Sequence, residues 1–325
     1  MPKVSVIIPT HNRADLIHST ISSVLNQTFQ DFEIIVVDDA SKDNTPEVVS
    51  SFDDGRIKYI RNEINKGDAV ARNVGVINSS YEYVAFLDDD DEWVPEKLEK
   101  QVNLMENSPQ EVGCVHTGAL SIDKVNKKEL EIKASGKRGD LFDEMLMGNY
   151  IITSSLLSRK ACFERVGLFD ESIPYCSDYD MWIRISREFK FEYINQPLVK
   201  YHVHENKLSN NPGLVIKGIE TLLKKYDQLF ASNRKGLSQH YLALGVFYCY
   251  SGNVKRGREA FLRAIKLYPF GLKNYFNLCI CLLGVNCFKK SKEIKQAIVA
   301  PLKRVKFNFD VGRGIDKLDK RKKVS

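Results

Sequence analysis

Asp38 and Asp39 close the apolar segment FEIIVVDD, and Asp88, Asp89, Asp90 and Asp91 close VAFLDDDD. Adjacent carboxylates at the end of an apolar run repel one another, and the usual relief is a divalent cation with oxygen ligands. Asp88-x-Asp90 puts two carboxylates on one side of an extended segment. A metal held there bridges the oxygens of a diphosphate and neutralises the charge that develops on it as a leaving group. Taken alone, the longer run also reads as an acidic loop solvated at a strand end. Its meaning depends on what the first run does.

The elements around these runs put both at one place. Val4–Pro9, Phe32–Asp38, Ile57–Arg61 and Tyr83–Asp88 are nearly continuous apolar runs of strand length. Strands buried on both faces read this way. Between them Ile17, Ile21, Val24 and Leu25 form one helical face, and Ala69, Arg72, Asn73 and Val76 form another. Alternating strands and helices predict a Rossmann-like, mostly parallel sheet flanked by helices. Ligands of such sheets bind outside the C-terminal strand ends, so both acidic runs project onto the same edge. Beyond Val112 the strands and helices shorten, with a helix expected over Asp178–Phe189. From about Pro212 the texture is all-helical.

In order and spacing, VSVIIPTHNR, FQDFEIIVVDDASKDNT, NKGDAVARNVGV and VAFLDDDDEW resemble the inverting glycosyltransferase family 2, which has the GT-A fold. The similarity covers roughly residues 3 to 210. It implies transfer of a sugar from a nucleotide-sugar donor, UDP-linked, to a saccharide or lipid-linked acceptor, with Mn²⁺ or Mg²⁺. By the same resemblance Pro9, Thr10, Asn12 and Arg13 wall the nucleotide base, and Asp39 accepts the imino N–H of a uracil or thymine ring. Arg72 faces the nucleotide or its phosphates. Asp88 holds the ribose or water near the metal, with Asp89 also on the donor side, and Asp90 is the principal metal ligand. Thr10, Asn12 and Arg72 read equally as turn or capping residues.

VGLFDESIPYCSDYDMWIRI is similar to the family segment in which a Gly-x-Phe-Asp turn precedes an acidic pair and an amphipathic helix. The family's Glu-Asp pair stands here as Ser177-Asp178, so Asp178 matches the catalytic base without its usual Glu neighbour. One carboxylate suffices for an inverting displacement, since it need only take the proton of the attacking hydroxyl. The competing roles are an N-cap for Asp178 and a base at Asp180. In VKYHVHENKLS, His204 and Ser209 match residues that approach the metal or diphosphate, and His202 stands where the family often has Arg.

The chain carries 48 Lys/Arg and 42 Asp/Glu, net +6, but residues 289–325 hold 13 Lys/Arg and 4 Asp/Glu, net +9. The other 288 residues therefore have 35 and 38, net −3, so the basicity sits in the tail and gives no sign of a nucleic-acid groove in the body of the protein, and no nucleic-acid partner is expected. Weak attraction of the tail to anionic lipid is expected. Seven cysteines without Cys-x-x-Cys spacing suggest reduced thiols in a cytoplasmic protein. MPKVSVIIPT lacks the zones of a signal peptide, and Phe276 to Phe288 is too short and too rich in Asn to span a bilayer. Tyr241 to Pro269 is close to a tetratricopeptide helix hairpin, and a single repeat must pack on the catalytic domain or on a protein partner. The expected units are 1–210, 211–288 and a basic tail 289–325. A Rossmann dehydrogenase or P-loop enzyme would need glycine-rich turns that are absent. An Asp-x-Asp phosphotransferase would carry its motif on the first strand. A non-catalytic helical scaffold with a decayed transferase domain would not retain every acid.

Overall fold

The computed structural model describes residues 3–123, 128–132, 136–204, 208–284 and 288. Its strands are β1 (Val4–Thr10), β2 (Phe32–Asp38), β3 (Ile57–Arg61), β4 (Tyr83–Phe86), β5 (Glu92–Trp93), β6 (Val112–Asp123), β7 (Lys128–Ile132), β8 (Leu157–Arg159) and β9 (Lys190–Val203). The helices around them are α1 (Ile17–Leu25), α2 (Thr45–Ser50), α3 (Asp68–Ile77), α4 (Lys97–Glu106), α5 (Phe142–Met145), α6 (Lys160–Val166) and α7 (Ser177–Ser186). After them come α8 (Pro212–Lys225), α9 (Asp227–Ser232), α10 (Arg234–Tyr250), α11 (Val254–Leu267) and α12 (Leu272–Leu282).

One sheet runs in the order β3-β2-β1-β4-β8-β6-β9-β5, with β7 paired to β6. The first four strands are parallel. The second half is mixed, since β8 is antiparallel to both β4 and β6 while β9 is parallel to β6. Every residue of β1 and β2 is buried, as their unbroken apolar character requires. Two clusters fill the two faces, one around Ile17, Ile21 and Val24 and the other around Phe86, Phe163 and Trp182. Gly75 lets α3 lie close on β1, because a Cβ there would collide with the Ile7 side chain.

β4 leaves the sheet at Phe86, two residues before the expected end at Asp88. Its pairing with β1 stops at Ile7↔Phe86, whereas β1 pairs with β2 as far as Thr10↔Asp38. β1 and β4 therefore diverge at their C-terminal ends. The helix expected over Asp178–Phe189 spans Ser177–Ser186.

Three of the helices after residue 211, α8, α10 and α11, are capped by asparagines. Asn211, Asn233 and Asn253 accept from the backbone N–H of Leu214, Gly236 and Arg256, and Pro212 stands in the first turn of α8. α10 and α11 form the hairpin expected at Tyr241 to Pro269. A Cβ on Gly245 would strike the Phe261 ring, so glycine sets how closely the two helices approach. Leu222 of α8 and Phe230 of α9 belong to the same buried cluster as Trp182, so the helical region is seated on the sheet domain through a shared core.

Candidate active site

The strand order 3-2-1-4 reverses direction between β1 and β4, the switch point beside which ligands of such sheets bind outside the C-terminal strand ends. The loop after β1 forms one wall. Asn12 has φ 53°, a left-handed conformation that Asn tolerates. Its side-chain oxygen accepts from Lys42 N at 2.7 Å, and its own N–H donates to Ser41 Oγ at 2.8 Å. Arg13 N donates to Thr45 Oγ1 at 3.0 Å. These bonds staple the loop after β1 to the loop after β2. Asn12 acts here as a turn residue that shapes the wall. Pro9 and Thr10, the last residues of β1, lie beyond the β4 pairing.

The carboxylates after β2 are occupied. Asp38 is buried and accepts from Ser41 N and from the Tyr59 hydroxyl. Asp39 accepts from the Asn62 amide at 2.8 Å, from Lys66 N at 3.0 Å and from Gly67 N at 2.7 Å. Its two oxygens thus fold the 62–67 turn that introduces α3. A base N–H reaching Asp39 must share or replace one of these donors.

The second run gathers where β4 ends. Asp88, Asp90 and Asp91 each offer an oxygen, all within 4.8 Å of one another. Asp91 is fully buried, accepting from Ser154 Oγ at 2.7 Å and from His202 N at 3.2 Å. His204 Nε2 lies 2.8 Å from Asp90 Oδ2. Asp88 is held by Arg72 Nη2 at 2.9 Å, and its N–H donates to Ser154 Oγ at 3.2 Å. Burial and the neighbouring Asp90 push the Asp89 carboxyl up to about 7, although the Thr10 hydroxyl and Arg13, 3.6 Å away, pull it lower. Clustered oxygen donors whose charge the site struggles to bear suit a hard divalent cation such as Mg²⁺ or Mn²⁺.

Arg72 joins this cluster to the other half of the domain. Its side chain is only 6% exposed and forms ion pairs with Asp68, one helical turn back, and with Asp88. Burial, with the charges of Asp88 and Asp178, raises Asp68 to about 6 against the pull of Arg72, although a third of its side chain still meets solvent. The fields of Asp88 and Asp178 both act on Arg72 as well. Asp178 is therefore electrostatically part of the acidic site, 87 residues after Asp91 in the chain.

Asp178 lies inside the first turn of α7, whose cap position is Cys176, and no side chain caps that helix. Its Oδ2 accepts from Asn149 Nδ2 at 3.0 Å and Thr153 Oγ1 at 3.2 Å. Asp180 is fully buried and committed elsewhere, to Arg184 at 2.9 Å, Tyr226 Oη at 2.7 Å and Lys225 at 2.6 Å. The turn before α7 is fixed from α3, because the Asn73 amide exchanges two bonds with the Phe169 backbone, at 2.8 and 3.0 Å.

His202 bonds Glu92 at 3.0 Å and so braces β5 against β9. The side chain of Ser209 lies outside the described residues. Asn149, Thr153 and Ser154 escaped the sequence reading, since nothing local marks them and only folding brings them to the acids. Asp68 was missed too, although its place four residues before Arg72 on a helix was a signal that could have found it.

The family profile of Glycosyl transferase family 2 matches residues 5–165. A glycosyltransferase of Rickettsia typhi is 32% identical over 263 residues, 78% of this chain and 82% of the relative. Escherichia coli WfaP, a UDP-Glc:alpha-D-GlcNAc-diphosphoundecaprenol beta-1,3-glucosyltransferase, is 31% identical over 260 residues, 76% of this chain and 92% of its own. Among solved structures, S. aureus TarS 1–349 superposes with a TM-score of 0.60 at 16% identity, covering 96% of this chain and 95% of TarS 1–349. The mannosyltransferase PcManGT from Pyrobaculum calidifontis, in complex with GDP-Man and Mn²⁺, gives 0.59 at 16%, covering 93% and 86%. The sheet and its flanking helices have the GT-A glycosyltransferase fold. Within that class, the chain belongs to glycosyl transferase family 2.

Proposed function

We propose that this glycosyltransferase moves a hexose from a UDP-linked donor to a lipid-linked saccharide, with inversion at the anomeric carbon and with a divalent metal. The observation that supports the reading is the cluster of Asp88, Asp90 and Asp91, with Arg72 paired to Asp88 and within the field of Asp178, while Asp180 is consumed in a buried ion-pair network. Asp178 takes the proton of the acceptor hydroxyl as that oxygen attacks the anomeric carbon. The bond to the diphosphate breaks in the same displacement, which inverts the centre. Asn149 and Thr153 aim the carboxylate by donating to one oxygen, leaving the other for the acceptor.

Asp88 and Asp90, with His204 beside Asp90, would hold the metal, and Asp91 braces the loop from below. A bound divalent cation supplies charge neutralisation at the leaving diphosphate. Arg72 positions Asp88, Arg13 and Asp89 border the donor side, and Pro9 to Asn12 shape the base wall. Asp39 contributes through the turn at 62–67 or by exchanging one of its donors for a uracil N–H. The UDP assignment is supported by the donor named for WfaP and by the UDP-GlcNAc complex of TarS 1–349. The lipid-linked acceptor is supported by the diphosphoundecaprenol in the WfaP name. We assign acceptor choice to the region between Ser121 and Ile152, which begins in the last residues of β6 and supplies Asn149.

Thermal melting with UDP, Mn²⁺ or both tests this. Together they should stabilise the protein by about 2.7 kcal/mol at a concentration 100 times the dissociation constant, and more than either alone. Equal stabilisation by ADP, or a UDP effect indifferent to metal, would contradict the reading.

A further inference from the structure

α12 buries polar residues and turns apolar ones outward. Asn274, Asn277 and Cys281 are buried and Leu278 and Ile280 are partly covered, while Leu272, Leu282 and Leu283 are exposed. Asn274 Nδ2 donates to Ser238 Oγ of α10 at 3.1 Å, whereas the Asn277 amide turns back to the Lys273 carbonyl of its own helix. Cys281 makes the more telling contact. Its Sγ lies 3.2 Å from the Sγ of Cys249 on α10, and both side chains are wholly buried in one cluster with Phe261 and Phe288. Gly257 of α11 leaves room for this pair, because a Cβ there would come within 2.5 Å of the Cys249 sulfur. Cys279, two residues before Cys281, is exposed, as a helical step of about 200° requires.

We propose that Cys249 and Cys281 are a redox pair that oxidises to a disulfide, a covalent latch holding α12 on the hairpin of α10 and α11. A disulfide bond is ~2.05 Å long, so the two sulfurs need approach by only ~1 Å to form it. With hydrogen peroxide as oxidant, one thiol is converted to a sulfenic acid with release of one water. The other sulfur then displaces the sulfenic oxygen, which leaves as a second water. Two S–H bonds and the O–O bond are broken, one S–S bond is made, and two electrons pass from the sulfurs to the peroxide oxygens. Burial, with the Cys281 thiol beside it, pushes the Cys249 thiol up to about 12, so the pair stays protonated at neutral pH and reacts slowly. The latch joins residues 32 apart in the chain, a loop long enough for the bond to hold the helical region against unfolding. It is independent of the donor and base assignments above.

The test begins with the reduced full chain, freed of reductant and treated with hydrogen peroxide. Alkylation in denaturant, digestion and mass spectrometry should then give a peptide pair linked through Cys249 and Cys281. The oxidised protein should melt ~5 °C or more above the reduced one, and dithiothreitol should reverse the difference. Cys279→Ser/Cys287→Ser keeps the pair and should respond as wild type does. Cys249→Ser and Cys281→Ser should give no linked peptide and no peroxide-dependent rise in melting temperature. If both of these variants fail to fold, wild type and Cys279→Ser/Cys287→Ser decide the matter by themselves. Two buried cysteines that merely fill space would behave differently. The proposal is overturned if Cys279 oxidises to completion while no linked peptide forms, if Cys249 links to a cysteine other than Cys281, or if the linked chain melts no higher than the reduced one.

Discussion

The proposed mechanism gives Asp90 and Asp178 different duties, and substitution separates them. If Asp90 holds the metal, Asp90→Ala removes an oxygen ligand as well as the contact with His204, so metal-dependent donor binding and transfer should fall together. Asp178→Asn keeps the size and the hydrogen-bonding oxygen that Asn149 and Thr153 address, yet cannot take a proton. Donor affinity should stay within a few-fold while transfer drops by ~10²–10⁴. Titration of a UDP-sugar beside a transfer assay reads both, and near-normal turnover in Asp178→Asn would remove it as the base. Lys97 is a different residue-scale case. Its ammonium is fully buried, makes no hydrogen bond, and lies 3.7 Å from the centroid of the Trp93 ring. Burial holds its pKa well below the usual lysine range, so the unfolded chain binds a proton that the folded one does not. That costs stability at neutral pH, and the cost shrinks as pH rises toward the ordinary lysine value. Lys97→Met should therefore stabilise by ~1 kcal/mol or more at pH 7, with a gain that narrows by pH 10. Chemical denaturation at both pH values checks it, and a destabilised variant would show that the Trp93 contact outweighs desolvation.

At the scale of elements, the short 3₁₀ turn Thr153–Ser155 does more than its length suggests. Ser154 bonds Asp91 and receives the Asp88 N–H, and its carbonyl accepts from Trp93 Nε1 at 2.7 Å. The turn thus ties both ends of the acidic loop to β8. Ser154→Ala should cost about 1–2 kcal/mol of stability and, beyond that, ~10-fold or more in metal-dependent donor affinity, since partners behind a ligand set its orientation. A melting curve and a Mn²⁺ titration of UDP binding separate the two effects, and unchanged Mn²⁺ dependence would make the turn merely structural. On α7, Asp178 and Asp180 lie two residues apart and face opposite ways. Asp180→Ala would leave Arg184 and Lys225 facing a vacated anion site, and an expected loss of about 3–5 kcal/mol in urea denaturation would identify the pair network as structural.

Across the whole molecule, the catalytic domain and the helices after residue 211 meet through His240 of α10. Its ring lies 4.6 Å from that of Phe230 and 5.8 Å from that of Tyr179. Burial pushes His240 down to about 4, and His116 of β6 likewise to about 4. Both are neutral when folded, while an unfolded histidine protonates below about 6.5. Stability is thus fully present above pH 6.5 and is lost as pH falls from there to 4, by up to roughly 3 kcal/mol per histidine. Melting from pH 7 to pH 4.5 should show this fall, and His240→Leu should flatten its own share. A variant with the wild-type slope would place the acid sensitivity elsewhere.

The sequence by itself determined the parallel half of the sheet, the edge on which both acidic runs lie, the tetratricopeptide-like hairpin and the family, because each is written in short-range patterns. An unbroken apolar strand has one place in a sheet, and two such strands ending in acids must share an edge. Tertiary structure decided what holds each acid. Asp38 and Asp39 look alike to Asp88 and Asp90 in sequence, yet the first pair is consumed by Tyr59, Ser41 and the 62–67 turn while the second stands at the diverging ends of β1 and β4. Asp178 and Asp180 are equally indistinct until Lys225 and Tyr226, some 45 residues later, claim one of them. The outward apolar face of α12 was also invisible, since a periodic pattern gives the stripe of a helix without saying which side its neighbours cover. In each case the deciding partner is distant in the chain and close in space, and a carboxylate's role follows from who satisfies its lone pairs.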